Sequence, residues 1–288
     1  MAEFLNEAAD FVFRDPRRAL ASDLSTKLSV HVEERLSHYD HFDQRYAAVS
    51  GSTCRDTHLP DDFDFDVGLL PAADRPDSEF IPVFEQFLSD LATQLSSDLD
   101  FCQALALVCG TWPTDIRDLL RNPERKNWEH ANLTTYKFKF GGRSIIEVSA
   151  GRYPWHRFGL LYKSAWERQV ARLASEVGRT TVSHICLLKR LAKDRGVYGD
   201  KGGGPASRGV EQLVMNYATD VSPLRALLQS ISASTRPEDL TPILYPISDE
   251  QMIELGLKPV SRNVTRAFSS DGWKKYKQIA VDVLNWPN

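Results

Sequence analysis

The pattern of apolar and polar positions predicts a chain that begins with helices, passes through a few strands and ends in helices. Apolar residues recur at helical spacing over residues 3–14 and again over about 17–38, with Pro16 marking the break between the two segments. A third helix is predicted from a cap at Ser78 through about residue 97. Each segment has its apolar residues on one side, so we expect each to pack one face against a core.

Strands are predicted where the apolar pattern changes its period. Residues 48–50 form a short apolar run, and the stretch that follows a polar loop alternates between acidic and apolar residues up to Val67. Because successive side chains of a strand point to opposite faces, Asp64 and Asp66 share one face, while Phe63 and Phe65 share the other. One face is therefore expected in a core, and the other presents two carboxylates.

A hairpin is predicted further along the chain. Residues 134–140 and 143–149 are two β-rich runs joined by a Gly-Gly pair. Glu147 lies on the second run, on the same face as Ile145. The short apolar run 104–108 predicts one more strand before this hairpin.

The second half of the chain has a helical pattern from about residue 163. One amphipathic helix there has basic residues at its end and a glycine stop at Gly196. We therefore predict an α+β protein with two domains. A small mixed-sheet domain spans residues 1–160, and a helical domain spans residues 161–288.

Composition limits the classes of function. Of the 288 residues, 42% are apolar and 26% charged, which is ordinary for a globular protein. No apolar run reaches the length of a membrane span, and the N-terminus lacks a signal-peptide pattern, so a cytoplasmic protein without membrane contact is expected. A net charge of −4 gives no general basic field, so any RNA would bind through a local patch. The four cysteines have no paired spacing and are predicted to be reduced.

The carboxylate pair is the strongest chemical signal. Two charges about 4 Å apart repel by roughly 4 kcal/mol at an effective dielectric constant near 20, so Asp64 and Asp66 favour a divalent cation between them. Carboxylates without nearby His or Cys suit Mg²⁺ or Mn²⁺, which are often completed by substrate phosphates. Upstream, Gly51 allows close approach of the backbone, and Ser52 supplies donors for a phosphate. The pattern predicts a metal–triphosphate site.

This stretch resembles the signature of the DNA polymerase beta superfamily of nucleotidyltransferases, in which a Gly-Ser pair precedes an Asp-x-Asp strand. The glycine–serine loop (residues 51–60) follows the pattern Gly-Ser-x-x-Arg-x-Thr-x-Leu-Pro. That form is most similar to archaeal-type (class I) CCA-adding tRNA nucleotidyltransferases. The resemblance implies a palm-like domain followed by a helical domain, with a nucleoside triphosphate between them. It also implies transfer of NMP to a hydroxyl acceptor with release of pyrophosphate.

The resemblance also implies roles for individual residues. Asp64 and Asp66 would bind two Mg²⁺ or Mn²⁺ ions together with Glu147, which stands where the family has a third Asp. Four further elements match the family: Arg-x-Pro-x-His, Leu-Lys to Val-Tyr-Gly, a single Ser, and Pro-Val-x-Arg-Asn-Val. The nucleotide-binding residues implied in this way are Gly51, Ser52, Arg55, Thr57, His156, Lys189, Tyr198, Ser207 and Arg262.

The sequence leaves the acceptor open. One hypothesis is an RNA 3′ end, such as that of tRNA, with a partner supplying RNA binding because the sequence has no counterpart of the family's C-terminal RNA-binding portion. A second is a nucleotide acceptor, as in oligoadenylate and bacterial cyclic-oligonucleotide synthases. A third is a nucleotide-binding module without turnover, which the replacement of Asp by Glu147 favours. The base used and the oligomeric state are also left open.

Overall fold

The computed structural model describes residues 2–43, 48–72, 77–128, 133–141, 143–151, 179–240 and 264–286, together with residues 250 and 253. Within these ranges the chain is a mixed α+β protein, which confirms the predicted fold class. No helix in the described ranges is both long and apolar enough to cross a membrane. None of the four cysteines forms a disulfide.

The helices and strands follow the predicted order. The helices are α1 (Ala2–Phe13), α2 (Pro16–Leu36), α3 (Asp77–Ser97), α4 (Leu99–Cys109), α5 (Pro113–Arg121), α6 (Arg179–Asp194), α7 (Ser207–Met215), α8 (Pro223–Ala233) and α9 (Ser270–Leu284). A single helical turn lies at Gly199–Gly202. The strands are β1 (Ala48–Ser50), β2 (Phe65–Leu69), β3 (Glu124–Trp128), β4 (Leu133–Phe140) and β5 (Arg143–Gly151).

The strands form one five-stranded mixed sheet in the order β1-β2-β5-β4-β3. β2 and β5 are parallel, and the remaining neighbours are antiparallel. The parallel pairing sets Asp66 opposite Glu147, and β4 sets Lys137 on the other side of Glu147. Partners in a register row share a face of the sheet, so these three side chains lie in one row.

The opposite face of the sheet belongs to a hydrophobic core. Phe65 and Val67 of β2 and Ile146 and Val148 of β5 are buried there, together with residues of α2, α3, α4 and α5. This arrangement confirms that apolar residues of the acidic stretch face the core. It leaves the row that contains Asp66 on the other face.

The prediction of a strand at residues 104–108 is wrong. These residues lie in α4, which begins after the cap Asp98 and ends at Gly110, a residue in the left-handed conformation with a φ of 67°. Phe101 and Leu105, four positions apart, are both fully buried. A short apolar run fits a buried helix as well as a strand, and here the capping residues decide for the helix.

A second hydrophobic core holds the helical half of the chain. Helices α6 to α9 supply most of its buried residues, among them Leu188 and Tyr276. Leu5 and Ala9 of α1 belong to this core as well. The N-terminal helix thus packs with the helical unit, although the sequence analysis placed residues 1–160 in one domain. The boundary at residue 160 itself lies outside the described residues and stays a prediction.

Candidate active site

The turn at Gly51 and Ser52 brings the backbone close to the acidic strand. Gly51 has a φ of 110°, a conformation that side chains with a Cβ rarely adopt. A Cβ built there would lie 3.4 Å from Oδ2 of Asp66 and 3.7 Å from the carbonyl oxygen of Asp64. Glycine at this position therefore keeps open the space beside the Asp66 carboxylate.

The two aspartates of the acidic stretch open into one cavity. Asp64 precedes β2, and its carbonyl accepts a hydrogen bond of 3.2 Å from the Thr53 hydroxyl, which fixes the strand to the loop. Asp66 lies within β2, and both carboxylates line the same cavity of about 580 Å³. This volume is in the usual range for a small-molecule site.

Glu147 lies beside Asp66 but has an ionic partner of its own. Its Oε1 is 2.6 Å from Nζ of Lys137, and both side chains are about one-quarter exposed. Within the described residues, no group of three His, Cys, Asp or Glu side chains is close enough to hold a metal ion. The arrangement therefore brings Asp64 and Asp66 to the cavity, with Glu147 next to them and bound to Lys137.

Asp64 and Asp66 supply the oxygen donors that a hard cation needs. Two carboxylates that line a cavity suit Mg²⁺ or Mn²⁺ when phosphate oxygens and water complete the coordination shell. The space kept open by Gly51 beside Asp66 is consistent with a ligand at this position. Asp64 and Asp66 therefore fit such an ion, whereas Glu147 is paired with the ammonium group of Lys137.

One part of the cavity wall is formed by the helical unit. Lys189 of α6, Tyr198 and Ser207 line the cavity together with Gly51 and Ser52. The cationic residues of the lining are Arg55, Arg143, Lys189, Lys193 and Arg208. Carboxylates and cations in one lining are the combination that a metal-bound triphosphate requires.

A buried ionic cluster stands behind this wall. Its members, called here the Glu211 cluster, are Arg55, Thr57, Lys189, Ser207 and Glu211. The Glu211 carboxylate is fully buried and accepts hydrogen bonds from Nε of Arg55 at 2.9 Å, the Thr57 hydroxyl at 2.6 Å and Nζ of Lys189 at 2.7 Å. The Ser207 hydroxyl, one helical turn before Glu211, donates to the same carboxylate at 3.1 Å.

The opposite charges of the cluster stabilise one another. Burial opposes ionisation of Glu211, but the charges of Lys189 and Arg55 outweigh it and hold the pKa of this carboxyl far below its usual value. Burial lowers the pKa of Lys189, and the Glu211 carboxylate opposes that effect. One carboxylate faces two cations, so the cluster keeps a net positive charge beside the cavity.

The glycine–serine loop is also fixed from α2. The guanidinium of Arg18 is buried and donates to the carbonyls of Phe13 at 2.7 Å and His58 at 2.9 Å, and also to the carbonyl of Asp56. Asp56 has a φ of 55°, an uncommon conformation for a residue other than glycine, and Arg18 holds it in place. Burial lowers the pKa of His58 to about 3, so this side chain is neutral in the folded protein at pH 7.

The rim of the cavity carries a second set of charges. Lys193, one turn after Lys189, forms an ion pair with Asp62 and lies 5.1 Å from the centre of the Tyr198 ring. Arg190 binds the carboxylate of Asp61 at 2.6 and 2.9 Å. Burial raises the pKa of Tyr198 to about 12, so its hydroxyl keeps its proton at neutral pH. Helix α6 therefore binds the glycine–serine loop through Lys189 and the two acidic residues after the loop through Arg190 and Lys193.

The structure brings most of the predicted site residues to one place. Gly51, Ser52, Arg55, Asp64, Asp66, Lys189, Tyr198 and Ser207 line the cavity. Thr57 is fully buried and lies behind the wall in the Glu211 cluster, because its hydroxyl binds Glu211 and Lys189. His156 and Arg262 lie outside the described residues.

Sequence reasoning missed three residues that shape the site. Glu211 interrupts the apolar run of α7 at the position one turn after Ser207, and a lone acid in such a run is a signal of a buried pair. Lys193 follows Lys189 at i+4 and so shares its helix face. Arg18 has no such signal, because a basic cluster near a helix start is typical of a solvent-exposed helix end.

Comparisons with known proteins extend the description of the fold. No family model and no curated protein matches the sequence. A solved cytoplasmic RNA terminal U-transferase is 14% identical over 100% of this chain and 94% of its own, with a TM-score of 0.52. Cid1 poly(U) polymerase with MgGTP bound is 14% identical over 100% of this chain and 95% of its own, with a TM-score of 0.55. Cid1 in complex with its short product ApU is 12% identical over 100% and 94% of the two chains, with a TM-score of 0.53.

At these identities the likeness establishes the fold. The chain shares the fold of these solved transferase and polymerase structures over its whole length. Membership of the DNA polymerase beta superfamily stays a prediction. The narrower likeness to archaeal-type CCA-adding enzymes stays a prediction.

Proposed function

We propose that this protein is a metal-dependent nucleotidyltransferase that adds NMP from a nucleoside triphosphate to an RNA 3′ end and releases pyrophosphate. The observation that carries the proposal is the one cavity that Asp64 and Asp66 line together with Lys189, Ser207 and the turn at Gly51. The structural neighbours with this fold include a terminal U-transferase of RNA and Cid1 with an ApU product, which supports an RNA acceptor.

The acidic wall would hold the ions. Asp64 and Asp66 are the proposed ligands of two Mg²⁺ ions, and Glu147 is the proposed third ligand, which Lys137 orients through the ion pair at Oε1. Bound Mg²⁺ would supply Lewis-acid stabilisation of the phosphates and of the attacking hydroxyl. Neighbour structures contain Mg-nucleotides, which is consistent with this choice of ion.

The other residues of the cavity lining would position the triphosphate. Gly51 and Ser52 present backbone and hydroxyl donors, and the buried charges of Arg55 and Lys189 stabilise negative charge in the cavity. Tyr198 keeps its proton and offers a donor and a flat face. Thr57 and Ser207 act through the Glu211 cluster. His156 and Arg262 are further proposed triphosphate contacts, and tRNA is the narrower proposed acceptor.

A second function is favoured by one observation. Glu147 is bound to Lys137, and no group of three metal-binding side chains forms among the residues that the structure describes. A protein that binds nucleotides without turning them over is consistent with this arrangement. Pyrophosphate release distinguishes the two functions, because a binding module produces none.

The test uses each α-labelled nucleoside triphosphate with Mg²⁺ or Mn²⁺ and one of three acceptors: tRNA, a single-stranded RNA, or none. We expect labelled RNA and pyrophosphate. Asp66→Asn should lower the rate at least a hundredfold, whereas Asp23→Asn, at an exposed position of α2, should leave it unchanged. Small labelled products without RNA would instead indicate a nucleotide acceptor, and binding without pyrophosphate would reject the transferase.

A further inference from the structure

We propose that Glu211 is a positioning residue for nucleotide binding, which holds Arg55 and Lys189 together at the wall of the cavity so that phosphates meet two preset cations. This inference rests on the proposed function, since it assigns a role toward the same triphosphate. Its basis is the geometry of the Glu211 cluster, which joins the glycine–serine loop, α6 and α7 at one buried carboxylate.

The hydrogen bonds of Lys189 indicate how it acts. An ammonium group has three protons to donate. Nζ of Lys189 already lies within 3.1 Å of four oxygens, which belong to Thr57, Ser207 and Glu211. For a phosphate in the cavity, Lys189 is therefore a fixed positive charge behind Ser207. The hydrogen bonds of the phosphate come from other groups that line the cavity. Such a charge is effective only where the surrounding contacts hold it in place.

Glu211 is the group that makes this placement stable. Arg55 and Lys189 are both almost fully buried, with side chains 3% and 2% exposed, and two like charges in such a site repel strongly. The carboxylate between them binds Arg55 through two nitrogen atoms, at 2.9 and 3.2 Å, and Lys189 through one. Removing its charge takes away the carboxylate that lies between the two buried cations, and the lysine, which can lose its proton, then relieves the repulsion.

Three titratable groups near Lys189 keep the same charge between pH 7 and 9. Burial also lowers the pKa of Lys193, one turn along α6, but this residue is unchanged in every variant compared below. His58 in the glycine–serine loop is neutral, because burial lowers its pKa to about 3. The Cys186 thiol in α6 and the Tyr198 hydroxyl stay protonated, because burial raises their pKa values to about 11 and 12. Arg55 remains charged throughout. Among the described residues of the cluster's surroundings, Lys189 is therefore the group whose titration Glu211 controls.

The experiment measures the dissociation constants of the four mant-labelled nucleoside triphosphates, with Mg²⁺, at several pH values between 7 and 9. For Glu211→Gln we expect binding about tenfold weaker than in the unaltered protein. We also expect the affinity of this variant to fall as the pH rises. This fall should begin at a lower pH than in the unaltered protein. Adding Lys189→Arg to this variant should remove the extra pH dependence, because the guanidinium does not titrate in this range.

Glu211→Asp is the matched control, because it keeps the charge and shortens the side chain by one methylene. It should weaken binding without the shifted pH dependence, and it serves as the test if Glu211→Gln does not fold. Equal affinity and an equal pH profile in Glu211→Gln and the unaltered protein would overturn the inference. So would a shifted profile in Glu211→Asp. If the unaltered protein binds none of the four nucleotides, the proposed function falls and the inference falls with it.

Discussion

At the residue scale, the sequence predicted side chains that carry a motif but not those that hold the motif in place. Asp64 and Asp66 stand in a period-two pattern, so their shared face follows from strand geometry. Glu211 and Arg18 act through contacts with residues more than 35 positions away in the chain, and no local pattern encodes such a pairing. Thr57 belonged to the motif, yet its position behind the cavity wall depended on the same long-range contacts.

Arg18 gives a prediction at this scale. Arg18→Met removes the donor of three backbone carbonyls, two of them in the glycine–serine loop, and leaves buried acceptors without a partner. We expect a loss of about 3 kcal/mol in the free energy of unfolding, measured by urea denaturation. The adjacent Arg17→Met is the control. Arg17 forms a half-exposed pair with Asp15, so its loss should stay within about 1 kcal/mol. Equal losses in the two variants would contradict the role given to Arg18.

At the element scale, helix limits followed from the sequence wherever capping residues and periodicity agreed. Helices α2 and α3 begin and end close to their predicted limits. The run 104–108 failed because five apolar residues fit a strand and a buried helix equally well. The glycines at 202–204 pack against Val197 and the start of α9, a tertiary contact without a local signal.

The close contact at α9 gives a prediction for Gly272→Ala. A Cβ on Gly272 would lie 1.7 Å from the carbonyl oxygen of Gly203, so the helix start must shift. Alanine raises helix propensity by up to about 1 kcal/mol, but we expect the displaced contact to outweigh it and to cost about 1–3 kcal/mol. Thermal unfolding measures the change. Ser270→Ala, at an exposed position of the same helix, should change stability by less than about 0.5 kcal/mol. An unchanged or higher melting temperature for Gly272→Ala would contradict this packing.

At the scale of the whole molecule, the sequence predicted two units but not that α1 packs with the helical one. Leu5 and Ala9 pack in the helical core because α1 lies against α6, a contact across about 180 residues. The cavity forms where the sheet edge of one unit meets α6 and α7 of the other. The glycine–serine loop and the Leu-Lys segment of α6 were expected to meet there. The hydrogen bonds of the Glu211 cluster hold them together.

Two buried histidines give the whole fold a pH dependence. Burial lowers the pKa of His58 to about 3 and that of His184 to about 4, below the value near 6.5 of an unfolded chain. Below pH 6.5 the unfolded chain binds more protons than the folded one, so stability falls as the pH falls. We expect the free energy of unfolding to drop by about 2 kcal/mol between pH 6 and 5.

The controls for this pH dependence are single histidine variants. His58→Gln removes one of the two titrating groups and should roughly halve the drop. His38→Gln, at an exposed position, should leave it unchanged. Equal unfolding free energies at pH 6 and 5 in the unaltered protein would contradict the account of the buried histidines.

The central claim is that Asp64 and Asp66 hold the metal of a bound nucleoside triphosphate in the cavity between the two units. Crystals grown with Mn²⁺ and a non-hydrolysable triphosphate analogue test this claim by anomalous diffraction. The account predicts manganese peaks in contact with both carboxylates and with the phosphates, next to Ser52. Manganese and nucleotide bound elsewhere, with neither aspartate touching a metal, would contradict it.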